Sequence, residues 1–371
     1  MGLNKFRLSE WLIELSDSSH PHELMVEVTM KCNYDCIHCF RRKLINEVFG
    51  EMDLRLYREL LRQAKDAKVN KIVFSGWGEP LVHPNILDMM SDAKKYGFKV
   101  LLNTNGSLLR DYAEDIVRLG IDEVVVSVDS VEPDLYKALR IGGSLSIVTE
   151  GLLILRDKIL RSKSWKPVVS IQFTVNMYNF KDVEKLVDYS KKVGVTNVII
   201  SNLIPLSIDY EESLACYQNP KCLSEIERAK QKLVRESLNS NVYVSIPSFK
   251  LVSERRCPFI SRYASFIRWD GGVSPCIFYA HSWKAAFMGV ERTINAVIFG
   301  NISDKHLIEI WRDKRYAEFR FRTYFFFMPS CLDCPLVKYC DYTLSNNADC
   351  WGNEPSCAHC PYSHDMVRCP L

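Results

Sequence analysis

Six short apolar runs, each trailed by a stretch of helical periodicity, restrict the folds open to this 371-residue chain. The runs cover 24–28, 71–74, 99–103, 123–128, 168–174 and 197–201. Helical spacing of apolar residues fills 54–67, 85–96, 111–119 and 181–193. Strands this uniformly apolar bury both faces, which is the habit of parallel sheets covered by helices. Repeated β/α units therefore predict an α/β fold whose sheet curves into a full or partial barrel, with its chemistry at the C-terminal ends of the strands.

Directly after the first run stand Cys32, Cys36 and Cys39, spaced C-x3-C-x2-C. Three thiolates on one short loop suit three irons of a [4Fe-4S] cluster and leave its fourth iron open to a small molecule. Zinc is the competing reading, with His38 inside the loop as a fourth ligand. Zinc sites, however, usually join C-x2-C to a second close pair.

The tail is richer still. Cys257, Cys276, Cys331, Cys334, Cys340, Cys350, Cys357, Cys360 and Cys369 all fall within the last 115 residues. Cys331/Cys334 and Cys357/Cys360 each have zinc-ribbon spacing, so zinc is an alternative here too. Fourteen cysteines in all, with no apolar leader run near the N-terminus, predict a cytoplasmic protein whose thiolates bind metal instead of forming disulfides. Cys216 and Cys222 are expected to be bystanders. A net charge of +3, with Lys and Arg spread along the chain, argues against a nucleic-acid partner, and no segment reads as a membrane span. The basic, aromatic stretch 312–322 reads as a helix docking Tyr316 and Phe319.

Polar turns follow the next three strands. Ser75-Gly76-Trp77-Gly78-Glu79-Pro80 combines glycines, which allow close backbone approach, with a carboxylate that could hold an ammonium group. Asn103-Thr104-Asn105-Gly106 and Ser127-Val128-Asp129-Ser130 are small polar sets suited to hydroxyl recognition. Taken singly, each is an ordinary β/α turn.

In order, these motifs resemble the radical S-adenosylmethionine (SAM) superfamily over residues 20–205. The resemblance implies a partial (β/α)6 TIM-type barrel in which the open iron binds SAM. One electron would then cleave the sulfonium to methionine and a 5'-deoxyadenosyl radical. Cys32, Cys36 and Cys39 would ligate the cluster, and Gly78 and Glu79 would meet the methionine amino group. Asn103, Ser127 and Asp129 would face the ribose or methionine, and Arg140 the carboxylate. Two departures stand out: His38 replaces an aromatic that packs on adenine, and Trp77 replaces the first glycine of Gly-Gly-Glu-Pro.

The tail resembles the SPASM auxiliary-cluster extension, which implies a small cysteine-rich iron-sulfur domain with two further [4Fe-4S] clusters. By that likeness Cys257 and Cys276 belong to the nearer cluster and Cys331, Cys334 and Cys340 to the outer one. Leu344 stands where the family's next cysteine is expected. Cys350 is then the substitute for the nearer cluster, and Cys357 or Cys360 completes the outer one. The division expected is an N-terminal extension 1–22, a barrel 23–240 and an auxiliary domain 241–371.

The string Asp349-Cys350-Trp351-Gly352-Asn353-Glu354-Pro355 and the turn at Trp77 are similar to a subgroup that matures tungsten-containing aldehyde oxidoreductases. The substrate implied is that protein or its tungstopterin cofactor. The alternatives are modification of a ribosomal peptide by thioether or carbon-carbon bond formation, or a non-catalytic metal scaffold. A low-potential donor, ferredoxin or flavodoxin, follows from the chemistry. His83, Tyr279, His281 and His306 are candidate acids or bases.

Overall fold

A computed structural model describes residues 5–16, 18–252, 255–368 and 371. Cys369, one of the expected ligands, lies outside them. Six parallel strands form the central sheet: β1 (Glu23–Val26), β2 (Lys71–Phe74), β3 (Lys99–Thr104), β4 (Glu123–Ser127), β5 (Val168–Val175) and β6 (Asn197–Asn202). They pair in chain order, each with the next, as successive β/α units must when every crossover has the same hand. All six expected strands are present within two residues of their predicted bounds.

Helices cover the sheet where apolar spacing places them. In Leu54–Asp66, Tyr57, Leu60, Leu61 and Ala64 are buried, and Asp53 caps the helix by accepting from the Arg55 and Leu56 amides. The helix expected over 181–193 begins instead as a 3-10 segment, Phe180–Lys185, and becomes α only over Leu186–Val193. Tertiary hydrogen bonds explain the difference. Asn179 donates to the carbonyls of Asp129 and Thr174, and Asp182 accepts from Ser130 Oγ and the Val131 amide, which ties the first turn to the β4 loop.

The tail does not hang off this sheet; it extends it. Ala264–Ile267 pairs parallel with β1 and continues through Gly272–Ser274 and Gly300–Asn301, while Tyr243–Ser245 pairs with β6 at the other edge. The sheet is open, with ten strands. Its main apolar core runs from Val26 and Phe74 to Trp283 and Trp311, across the boundary expected at 240/241. The helix Lys314–Tyr324 buries Tyr316 and Phe319 as expected, and stacks the Arg320 guanidinium on Trp311 and Tyr316. Its outer side meets the hairpin Lys5–Leu8/Trp11–Glu14 through Phe6 and Phe321.

Candidate functional site

A cavity of about 250 Å³ opens at the C-terminal ends of the strands. The loop after β1 carries Cys32, Cys36 and Cys39 into its wall, all three free and partly exposed. This loop is held from two sides. Asp35–Cys36 forms a short antiparallel ribbon with Arg140–Ile141, and the Glu79 amide donates to the Lys31 carbonyl (2.9 Å). Gly78 is obligatory for packing: a Cβ there would run into the carbonyls of Thr29 and Lys31. A Cβ on Gly76 would press on Glu27. Both glycines thus admit the chain's own neighbours as well as lining the cavity.

Glu79 lines the cavity but is far from idle. It is buried and accepts from the Leu81 amide (3.1 Å), Thr104 Oγ1 (2.7 Å) and the Asn105 amide (2.6 Å), which staples two strand-end turns together. Burial pushes its pKa above the usual carboxylate value, with those donors pulling the other way. Asn103, Ser127, Arg140 and His38 also line the cavity.

Asp129, expected to face the ligand, does not line the cavity. It is fully buried, accepting from Arg140 Nε (2.6 Å) and the Thr174 amide (2.8 Å), with His38 Nε2 at 3.4 Å. Its work is to hold Arg140 and His38. Burial opposes the Arg140 charge, but Asp129 together with Cys36 and Tyr136 outweighs it and keeps the guanidinium protonated. His38 is pushed toward neutrality, chiefly by burial.

Trp77 shapes one wall. Its amide donates to Glu27 Oε1 (2.9 Å), its Nε1 to the Ile277 carbonyl (3.2 Å), and its ring packs on Phe40, His281 and Trp283. The candidate acids and bases have other employment. His281 is buried between Glu27 (2.8 Å) and Glu47 (3.3 Å), Tyr279 donates to the Ser356 carbonyl, His83 accepts from the Asn85 amide, and His306 caps Leu307–Arg312. None of the four lines the cavity.

Sequence reasoning missed Gln172, Thr174, Ser201 and Asn202, which line the cavity from the ends of β5 and β6. Position alone could have found them, since strand C-termini build the active face of such sheets. Tyr362, Val367 and Arg368 line it from the tail, where no local motif signals them.

Eight of the described tail cysteines fall into two neighbourhoods, grouped differently from the expectation. Cys276, Cys357 and Cys360 lie within one another's electrostatic reach and that of Cys257. Cys331 instead feels Cys350, Cys340 and Cys334. Cys350 thus neighbours Cys331, whereas Cys357 and Cys360 neighbour Cys257 and Cys276. Asp349 explains the split: it accepts from the Trp351 and Asn353 amides, Asn353 Nδ2 and Ser356 Oγ, folding a tight loop that sends Cys350 one way and Cys357 the other. Cys216 and Cys222, expected to be bystanders in a chain without disulfides, form a disulfide inside a second apolar cluster.

The donor sets fit iron-sulfur clusters. Burial pushes the thiols of Cys36, Cys331 and Cys360 up to about 12 and Cys257 to about 11. Thiols so reluctant to ionise in water-poor surroundings become thiolates only when a bound cation compensates. Among the described residues no three His, Cys, Asp or Glu side chains converge as the shell of a single ion requires. A cubane asks for a wider set, one sulfur on each iron. The sulfurs also have donors beside them: the Tyr34 amide (3.4 Å) and Asn105 Nδ2 (3.8 Å) on Cys32, and Arg41 Nε (3.5 Å) on Cys39. Such contacts tune a cluster and orient its ligands.

A strand-end cavity walled by a three-cysteine loop, with cysteine sets in a tail that shares its core, defines an iron-sulfur enzyme of a known class. The Radical SAM superfamily model matches residues 26–215 and an iron-sulfur cluster-binding domain model, SPASM, matches 257–335; the chain belongs to the radical SAM superfamily. Within it, the chain is 35% identical over 354 residues to the tungsten-containing aldehyde ferredoxin oxidoreductase cofactor-modifying protein of Pyrococcus furiosus, covering 94% of this chain and 97% of that one. Two solved structures share the fold at 18% identity. One is Streptococcus suis SuiB bound to S-adenosylmethionine (TM-score 0.62; 87% of this chain, 72% of SuiB), and the other is anSMEcpe with bound AdoMet (0.63; 93% and 90%). The protein is thus an enzyme that uses SAM and [4Fe-4S] clusters and needs a reductant. No helix among the described residues is long and apolar enough to cross a membrane.

Proposed function

We propose that this enzyme matures a tungsten-containing oxidoreductase by acting on its tungstopterin cofactor or on the protein that carries it. The observation behind this reading is the 35% identity over nearly the whole of both chains to the Pyrococcus furiosus cofactor-modifying protein. In this reading 23–240 is the catalytic barrel, 241–371 the auxiliary-cluster unit and 1–22 an extension.

Cys32, Cys36 and Cys39 are the ligands proposed for the SAM cluster. Cys257, Cys276, Cys357 and Cys360 would hold one auxiliary cluster, and Cys331, Cys334, Cys340 and Cys350 a second, which makes three in all. When bound, the first cluster supplies the single electron that cleaves the sulfonium. The chain's own residues do the positioning. Glu79 fixes the turn against which the methionine end lies and keeps one side of its carboxylate toward the cavity. Arg140, held charged by Asp129, is placed to neutralise the SAM carboxylate. Asn103 and Ser127 offer polar edges to the ribose, and His38 offers a flat ring to adenine. Trp77 and Phe40 wall off one side and exclude water there. Ferredoxin or flavodoxin is the proposed electron donor.

The test is to produce the tungsten oxidoreductase in cells with and without this gene. Maturation predicts normal tungsten content but little aldehyde oxidation without it. Equal activity in both would remove the tungsten reading, and peptide-dependent deoxyadenosine formation would put peptide modification in its place.

A further inference from the structure

A second cavity of about 610 Å³ lies against the first, and the two share Tyr362, Val367 and Arg368 as a common wall. Its volume is that of a small-molecule chamber. Among the described residues three guanidinium groups line it, from Arg256, Arg262 and Arg368, against one carboxylate, Asp365. Two of the three are partly engaged. Arg262 pairs with Glu23 (3.2 Å) and donates to the Leu371 carbonyl, and Arg368 meets Asp365 through both terminal nitrogens (2.8 and 3.1 Å) and donates to the Ile246 carbonyl (3.0 Å). Arg368 Nε is nonetheless buried with no partner among the described residues. Arg256 is exposed to the chamber and has no ion pair among the described residues.

This wall is built for an anion. A guanidinium fork presents parallel N–H donors that match phosphate oxygens two at a time, and a doubly charged phosphate gains more from paired arginines than a single carboxylate does. Pro258 and Tyr362 give the same chamber a flat, largely apolar surface for the rest of a small ligand. Because Arg368 borders both cavities, a ligand anchored in the second would reach toward the first across the shared wall.

We propose that the second chamber is the substrate compartment and that Arg256 and Arg368 hold a phosphate group of a small anionic substrate. The proposal rests on the reading of the first cavity as the SAM site and deepens the proposed action on a cofactor by giving it an anionic group to be held. It favours a small molecule over an acidic peptide, whose carboxylates would have to thread a chamber of this size.

Calorimetric titration of the anaerobic holoenzyme, with SAM present, uses inorganic pyrophosphate as the probe. Saturable binding is expected in the wild type, at least about tenfold weaker in Arg256→Gln and largely recovered in Arg256→Lys, as the loss of one charge-assisted contact dictates. Arg368→Gln is a second variant should the first perturb the neighbouring Cys257, which iron content would reveal. No wild-type binding, or binding as tight as wild type in both glutamine variants, would overturn the proposal. So would an Asp/Glu-rich peptide that binds the wild type more tightly than pyrophosphate. Pyrophosphate binding that depends on Arg256, beside an oxidoreductase that is active without this gene, would keep the chamber and discard only the tungsten reading.

Discussion

Glu79 shows how a single residue can be anticipated and still be richer than its motif. The turn identifies the carboxylate and its local donor Leu81, but the donors Thr104 and Asn105 lie 25 and 26 residues away, contacts that no local string displays. Glu79→Gln would set an amide N–H₂ against at least one of those donors. It is expected to cost about 1–3 kcal/mol of stability, as an unmet buried group does, and to weaken SAM binding while iron content is unchanged; thermal unfolding and calorimetry measure the two. Asp129 is the converse case. Its Ser-Val-Asp-Ser setting reads as ligand recognition, yet Arg140 and the Thr174 amide take both oxygens. Asp129→Asn should therefore act through Arg140, raising the SAM dissociation constant while the cavity keeps its shape. The cluster loop itself gives the plainest residue-scale outcome. Replacing Cys32, Cys36 and Cys39 together by alanine should remove about four irons per chain, one cubane's worth, and abolish deoxyadenosine formation; unchanged iron would exclude the loop as a cluster site.

At the scale of elements, the six β strands were legible because a doubly buried parallel strand has little freedom of composition, and the cysteine loop because metal ligands must be close in sequence or in space. What could not be read was which distant cysteines meet. Cys350 and Cys357 are seven residues apart but have different cysteine neighbours, across a loop tied together by hydrogen bonds to Asp349. Spectroscopy on single variants tests the grouping. Cys257→Ala and Cys360→Ala should disturb one auxiliary signal, Cys334→Ala and Cys350→Ala the other; a shared signature for Cys350→Ala and Cys257→Ala would restore the sequence-based pairing. Residues such as Tyr362 and Arg368 were equally illegible, because a tail folds onto a barrel through surfaces whose register has no period.

On the scale of the whole molecule, the buried pair Glu27 and His281, with the half-buried Glu47 and Arg268, joins the end of β1 to the tail. Burial alone would lower the His281 pKa, but the two carboxylates raise it to about 8. A raised pKa stabilises the fold fully below pH 6.5, and the gain disappears as pH climbs through 8. The shift corresponds to about 2 kcal/mol. The melting temperature should fall between pH 6 and pH 9, and His281→Gln should flatten that dependence; an unchanged slope in the variant would locate the sensitivity elsewhere. The strand Ala264–Ile267, paired with β1, has a different kind of consequence. During synthesis the edge of β1 leaves the ribosome some 240 residues before the strand that covers it, so all six barrel strands can assemble while that edge is still bare. On the proposed ligation, iron delivery to Cys32, Cys36 and Cys39 would have a window before the tail arrives. A chain stopped at residue 240 keeps the window open and, with it, an unpaired strand edge that invites other chains.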